Sequence, residues 1–230
     1  MARTALVTGG TGGLGVAVVE RLLAGGWRVV VPWVAERELE RLPPRDGLSL
    51  VEADLLDSGS VARVAGQAAA DSEAPLGAAV NLVGGFAQGG RIHETPIEDF
   101  ERQLQLNLRT TYLVTQAAVP HLLAAGGGAI VCVGTRAALR PFPGAAGYVT
   151  SKAAVLAFVQ AVAVEYRDDG IRCNAVLPSV IDTPANRAAQ PDADHDRWVA
   201  PAEIAAVIGF LCSDDSAPIS GAAIPVYGRA

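Results

Sequence analysis

Lysine is nearly missing from this chain: Lys152 is the only one among 18 basic residues, and all the others are arginine. Using arginine everywhere else marks position 152 as one where a compact ammonium, rather than a planar guanidinium, is needed. Cysteine is scarce too. Cys132, Cys173 and Cys212 stand isolated in apolar surroundings without metal-ligand spacing, which argues against a disulfide scaffold or a metal site and predicts buried free thiols in a reducing compartment. Aromatic residues make up 5% of the chain, no stretch interleaves them with arginine, and the net charge is −6; nucleic acid is therefore excluded as a partner. No uninterrupted apolar run approaches the roughly 18 residues of a membrane span. Arg3 leads straight into a strand-like segment, leaving no room for a signal peptide, so the expectation is a cytoplasmic protein with no membrane contact.

What the chain has in quantity is small apolar residues: half of its 230 residues are hydrophobic, many of them alanine, and 25 are glycine. Apolar segments are evenly spread, with no repeat or linker, which predicts one domain spanning residues 1–230. Thr4 to Thr8 reads as a buried strand feeding a glycine-rich turn from Gly9 to Gly15, after which Val16, Val19, Leu22 and Leu23 recur at helical spacing. Strand, glycine turn and helix form a phosphate cradle: glycines let backbone approach closely, and a helix N-terminus offers free N–H groups and a positive dipole end. Further strands are expected over Arg28–Val34, Leu48–Ala53, Ala78–Val83, Ala129–Val133, Ile171–Leu177 and Ala223–Val226. Helical segments alternate with them: Ala35–Leu42, a helix after Asp54, a long helix capped by Thr95 with Pro96 at its first position, Tyr148–Tyr166, and one opened by Pro201. This rhythm predicts an α/β fold, a doubly wound seven-stranded parallel sheet of Rossmann-like type. Residues 184–199 carry proline and lack periodicity, and read as a mobile substrate loop.

Two features look chemical. Asn107 is a polar amide inside an apolar helix, costly unless hydrogen-bonded. Tyr148 and Lys152 are four residues apart, hence on one face of a helix, where an ammonium favours the phenolate and lowers the tyrosine towards working pH. Such a tyrosine can act as general acid or base.

The order of these motifs resembles the short-chain dehydrogenase/reductase family, in its single-domain branch, over essentially the whole chain. Its T-G-x-x-x-G-x-G cofactor signature appears as Thr8, Gly9, Gly13 and Gly15; its N-N-A-G segment appears as Asn81-Leu82-Val83-Gly84, lacking the second asparagine. The resemblance implies a catalytic set of Asn107, Thr135, Tyr148 and Lys152, with Asn107 supporting a proton relay through water. It also implies an NADP or NAD cofactor held by Gly9, Thr11, Gly13, Leu14, Gly15, Asp54, Leu55, Asn81, Gly84, Tyr148, Lys152, Pro178, Ile181 and Thr183. The implied activity is an oxidoreductase interconverting a carbonyl and a secondary alcohol on a small-molecule substrate. Alternatives on the same scaffold are a non-catalytic dinucleotide-binding regulator and a pteridine- or imine-type reductase. The broadly apolar segments 100–123 and 148–166 resemble the family's intersubunit bundle and imply a homodimer or homotetramer.

Three departures stand out. Thr135 takes the place of the usual serine, adding a methyl group and restricting the hydroxyl's rotamers. Trp33 and Val34 stand where a cofactor-selecting acid or arginine is expected; with no carboxylate there and Arg37 nearby, the expectation leans to NADP. Ser179 follows Pro178 in place of glycine. The substrate pocket is expected between Gly85 and Phe86, the loop Arg136–Phe142 and the segment Asn186–Trp198, with Arg136 and Arg140 more apt to face water, and His195 to lie at the surface, than to act on substrate.

Overall fold

The computed structural model describes residues 2–229; Met1 and Ala230, the ends of the predicted domain, lie outside the described residues. Seven strands form one parallel sheet in the order β3-β2-β1-β4-β5-β6-β7: β1 Thr4–Thr8, β2 Arg28–Trp33, β3 Leu48–Glu52, β4 Leu76–Asn81, β5 Gly128–Val133, β6 Ile171–Pro178 and β7 Ala223–Val226. β1, β4 and β5 are buried on both faces along most of their length, which is why they read as continuous apolar runs rather than alternating ones. Helices α2 (Ser58–Ala68), α4 (Thr110–Ala124) and α5 (Ala146–Glu165) cover one face around Leu6, Leu122, Ile130 and Val159. On the other face α1 (Gly15–Ala24) and α7 (Pro201–Cys212) pack over Val7, Leu22, Ile204 and Leu211. The doubly wound class is as expected, and the order reverses between β1 and β4, the point at which such sheets open a ligand crevice.

Local readings needed more correction. β4 runs two residues earlier than expected, so Asn81 is its last residue and Leu82 to Gly84 lie beyond it. The predicted helix over 35–42 is a 3-10 segment, Glu36–Arg41. β6 runs one residue past the expected Leu177 and ends on Pro178, paired with Val226 of edge strand β7, where a proline is tolerated because no further ladder donor is needed. Thr95 does not cap the next helix. Its hydroxyl donates back to the carbonyls of Gly90 and Arg91, and α3 (Ile97–Leu104) starts after Pro96. The supposedly irregular 184–199 segment contains α6 (Pro184–Ala189), capped where the Thr183 hydroxyl accepts from the Asn186 N–H, with Pro184 at a first-turn position.

The long helix expected after Pro96 is one rod with a fault in it. Between α3 and α4, residues Gln105–Arg109 form a π turn. Thr110 and Thr111 donate their hydroxyls to the carbonyls of Leu106 and Asn107, a back-bonding that loosens the regular ladder. Such turns concentrate at functional positions, and this one carries Asn107.

α5 is long and apolar enough, with mean hydropathy 1.4, to cross a membrane by length and composition alone, although Thr150, Ser151, Lys152 and Gln160 interrupt its apolar run. In the fold its inner face, Ser151, Lys152, Val155, Val159 and Val162, is buried in the layer over the sheet. The three cysteines are buried and free as expected, but not all isolated: Cys132 of β5 and Cys173 of β6 are near enough to act on each other, which holds Cys132 below the usual thiol range and pushes Cys173 up.

Candidate active site

The site lies at the carboxyl ends of β1, β4, β5 and β6. Its first part is the turn from β1 into α1. Gly9 adopts φ +66°, a conformation suited to glycine. At Gly15 a Cβ would lie 2.0 Å from the Gly9 carbonyl oxygen, so no larger residue fits the turn. α1 has no side-chain cap, and among the described residues no acceptor meets the N–H groups of Gly13, Leu14 and Gly15. These unpaired donors at a positive dipole end form a cradle for a pyrophosphate. Gly13 faces Thr183 across the opening: a Cβ there would come within 2.9 Å of the threonine methyl. Ile181 is tied into the same wall by a bridge to Val199 and by its carbonyl, which accepts from Asn186.

Beside the cradle, a cavity of about 430 Å³ is lined by Val34, Ala53, Asp54 and Arg63 among others, at the ends of β2 and β3. Its position and the cradle beside it suit the adenosine end of a dinucleotide, as Asp54 and Leu55 led us to expect. Asp54 is exposed and accepts from the Leu56 N–H, which fixes the turn, while Leu55 is buried beneath. Trp33 and Val34 leave the end of β2 without a carboxylate, as expected, while the next segment brings one to the glycine loop. Glu38 accepts the Thr11 hydroxyl at 2.7 Å, and Arg41 donates to the Thr11 carbonyl, so the 3-10 segment clamps the glycine loop through Thr11.

The second part gathers Tyr148, Lys152, Thr135 and Asn107. Lys152 is buried and donates to the Val133 carbonyl at 2.8 Å; burial pulls its pKa down to about 8, with Cys132 acting in the opposite direction. Gly84 makes this possible, because a Cβ there would fall 2.6 Å from Asn107 Oδ1 and 2.9 Å from Lys152 Nζ. Tyr148 departs from expectation: burial raises its phenol rather than the lysine lowering it, and the nearby Thr135 hydroxyl is the only opposing influence. Thr135 Oγ1 accepts from the Ala137 N–H, which leaves its proton free to donate to the phenol. The ring of Phe86 meets Tyr148 edge-on, centroids 5.1 Å apart, and Phe142 lies 6.2 Å from Phe86.

Asn107 is fully buried, and its burial is explained by direct bonds. Its oxygen accepts from the Gly85 N–H, and its amide donates to Ser151 Oγ, the Gly85 carbonyl and Gln103 Oε1. Its own carbonyl is held by Thr111. Asn107 thus pins the β4 loop and α5 to the π turn. Asn81 likewise turns away from the crevice. Its amide donates to Thr115 and contacts the Cys132 sulfur within the core, and its Oδ1 is the one buried side-chain oxygen without a partner among the described residues. Pro178 ends β6 under the opening, and Ser179 holds the following turn by donating to the Tyr227 carbonyl. Arg136 lies over the Tyr227 ring beyond β7, His195 sits against Trp198, and Arg187 pairs with Asp182, so all three are engaged by other side chains.

A family profile described as "Enoyl-(Acyl carrier protein) reductase" matches residues 9–228. A solved structure titled "short chain dehydrogenase/reductase family protein" superimposes with a TM-score of 0.89 at 32% identity, covering 98% of this chain and 96% of its own. The chain belongs to the short-chain dehydrogenase/reductase family. Within the short-chain dehydrogenase/reductases it is similar to the "2-(R)-hydroxypropyl-CoM dehydrogenase" of Xanthobacter autotrophicus, 36% identical over 99% of this chain and 98% of the relative. It is also similar to the solved structure "ElxO with NADP Bound", with 25% identity, a TM-score of 0.91 and 99% and 98% of the two chains covered. Membership brings the family's chemistry, oxidoreduction with a nicotinamide dinucleotide, and the cradle at Gly9 to Gly15 fits that cofactor. Two groups that shape this site gave no usable sign in the sequence. Gln103 reads as an ordinary solvent-facing helix residue, and Phe86, expected only as a wall, rests on the tyrosine itself.

Proposed function

We propose that this short-chain dehydrogenase/reductase interconverts a carbonyl and a secondary alcohol, with Tyr148 as the acid or base at the substrate oxygen. The observation that carries the reading is the gathering of Tyr148 and Thr135 beside a buried lysine at the carboxyl end of β5, at the mouth of the dinucleotide crevice. Gly13, Leu14 and Gly15 would hold the pyrophosphate, Asp54 and Leu55 the adenosine end, and Ile181 and Thr183 the nicotinamide end. When bound, the cofactor supplies or accepts the hydride. Tyr148 stands protonated at neutral pH, because burial raises its phenol, so it is prepared to give a proton to a carbonyl oxygen. Thr135 orients the phenol and can donate to the same oxygen, and Phe86 keeps bulk water from one face of the ring. Lys152, charged at neutral pH with a pKa of about 8, lies beside Gly84 at the edge of the crevice, where it can hold a ribose hydroxyl and favour the tyrosinate left after proton transfer.

Two features of similar proteins support this reading: a relative is named a dehydrogenase of a hydroxypropyl compound, and a similar fold holds NADP. NADP is the preferred cofactor in this proposal, with Arg37 and Arg41 on the segment that meets the glycine loop. The apolar outer faces of α4 and α5, where the tilted rings of Tyr112 and Phe158 lie 5.8 Å apart and Val164 is exposed, support a homo-oligomer. The test is oxidation of NADPH and NADH against aliphatic ketones, quinonoid pterins and cyclic imines. Turnover of ketones with Thr135→Ser active and Thr135→Ala impaired by about tenfold or more supports the proposal. Turnover of pterins or imines alone, or cofactor binding with no turnover, overturns it.

A further inference from the structure

Next to Tyr148, on the side of α3, lies a second cavity of about 430 Å³ walled mainly by apolar groups, among them Ala87, Ile92, Ile97, Phe100 and Gly147. Two independent features give it a polar end. The first is the start of α5. Ala145 supplies no side-chain cap to this 20-residue helix, and among the described residues nothing accepts from the N–H groups of Ala146, Gly147 and Tyr148. Gly144, Ala146, Gly147 and Tyr148 all line the cavity, so the unpaired donors and the positive end of the helix dipole lie at its wall. The second is Gln103 of α3, which lines the same cavity and is only 7% exposed. Its Oε1 accepts from Asn107, while among the described residues no acceptor meets its Nε2. Gly147 packs directly on it, since a Cβ there would lie 3.3 Å from Gln103 Cγ. The charged residues at the rim, Asp99 and Arg102, pair with each other at 2.8 Å and leave no net charge.

An amide donor that reaches the cavity without a protein acceptor, from a side chain otherwise buried, and an uncapped helix start on the same apolar cavity call for an anionic acceptor on an apolar body. We propose that the cavity binds the carboxylate of a medium-length aliphatic acid, and that the enzyme's substrates are apolar oxo or hydroxy acids whose carboxylate is anchored by Gln103 and the α5 N-terminus. This deepens the carbonyl–alcohol reading and rests on it for the reaction, but the binding site itself can be tested apart from turnover.

The experiment is calorimetric titration of the whole protein, saturated with NADP, with hexanoate and with 1-hexanol as the uncharged match. Hexanoate is expected to bind and 1-hexanol to bind at least about tenfold more weakly. Gln103→Glu retains an acceptor for Asn107 but sets a carboxylate against the ligand, and is expected to weaken hexanoate at least about tenfold. Ile97→Trp, at an exposed wall position, fills the cavity and should abolish binding. Tyr148→Phe should bind hexanoate as the wild type does while losing turnover, so failure of the catalytic reading and failure of this one are distinguishable. No hexanoate binding by the wild type, equal binding of the alcohol, or undiminished binding to both cavity variants would overturn the proposal.

Discussion

The two ends of the sheet make an instructive pair. At the amino ends of the strands lies a cavity of about 670 Å³, larger than either cavity at the carboxyl ends. Yet its polar groups are largely occupied with each other. Arg3 makes two bonds to Asp214, and Arg172 donates to the carbonyls of Leu211 and Ser213 and to the Ser216 hydroxyl. The N–H groups of its Gly126-Gly127-Gly128 turn all find backbone acceptors. At the carboxyl ends the volumes are smaller, but N–H groups at two helix starts lack partners, a lysine is buried with one carbonyl, and a phenol is raised by burial. Here unpaired polar groups, rather than volume, mark where ligands belong.

The sharpest way to break this comparison is Tyr148→Phe. Its turnover is expected to fall at least about a hundredfold with NADPH affinity nearly intact, and retention of more than about a tenth of the rate would remove the tyrosine from its role. Next comes a matched steric insult at each end. Gly15→Ala places a Cβ 2.0 Å from the Gly9 oxygen, and Gly127→Ala places one 2.6 Å from the Gly170 oxygen. Both should lower thermal stability, by roughly 1–3 kcal/mol. Only Gly15→Ala should weaken dinucleotide binding in the protein that remains folded, as fluorescence titration with NADPH would show; a similar loss in Gly127→Ala would erase the distinction between the ends.

Lys152 gives a smaller effect with a definite sign. Its folded pKa of about 8 lies below the free value of 10.5, so between those limits the unfolded chain binds more protons. The cost of burying the ammonium is complete below about pH 8 and is relieved as pH rises, so this group adds stability with increasing pH. Burial raises Cys212 to about 12, which works in the opposite direction above pH 9. The contribution is therefore read as the difference between wild type and Lys152→Met in denaturant melts from pH 7.5 to 9.5. Parallel curves would show that the lysine is not held in a low-dielectric site. The smallest expected effect belongs to Arg3→Ala: an exposed pair contributes under about 1 kcal/mol, and cofactor affinity and turnover should not change.

The fold was legible because buried parallel strands announce themselves as short apolar runs, and β1 and β7 match the reading to the residue. The positions of Tyr148, Lys152, Thr135 and Asn107 were legible through spacing and resemblance. What spacing cannot convey is the balance of forces at a point. Two residues four positions apart on one face of α5 suggested an ammonium acting on a phenol, but the lysine turns to the Val133 carbonyl and desolvation governs the tyrosine. Asn107 read as polar in an apolar helix, which was right, but its partners Gly85 and Ser151 are 22 and 44 residues away in sequence. Gln103 was invisible for a related reason: a glutamine on the amphipathic α3 carries no mark that it faces a neighbouring helix. The Thr95 misreading arose from local chemistry, since a threonine before proline can bond backward as readily as forward.

The π turn at Gln105–Arg109 has a consequence for how this enzyme can change over time. Each residue of an α-helix advances the chain by about 100°, and the wide turn behaves as one extra residue lodged in a continuous rod. Deleting a residue from this segment would restore a regular helix, keep α4 seated on the sheet, and swing α3 with Gln103 out of its alignment with α5. Insertions and deletions are thus a route by which relatives could exchange the substrate side of the site without disturbing the core, and length variation within 105–109 is the place to look for altered specificity.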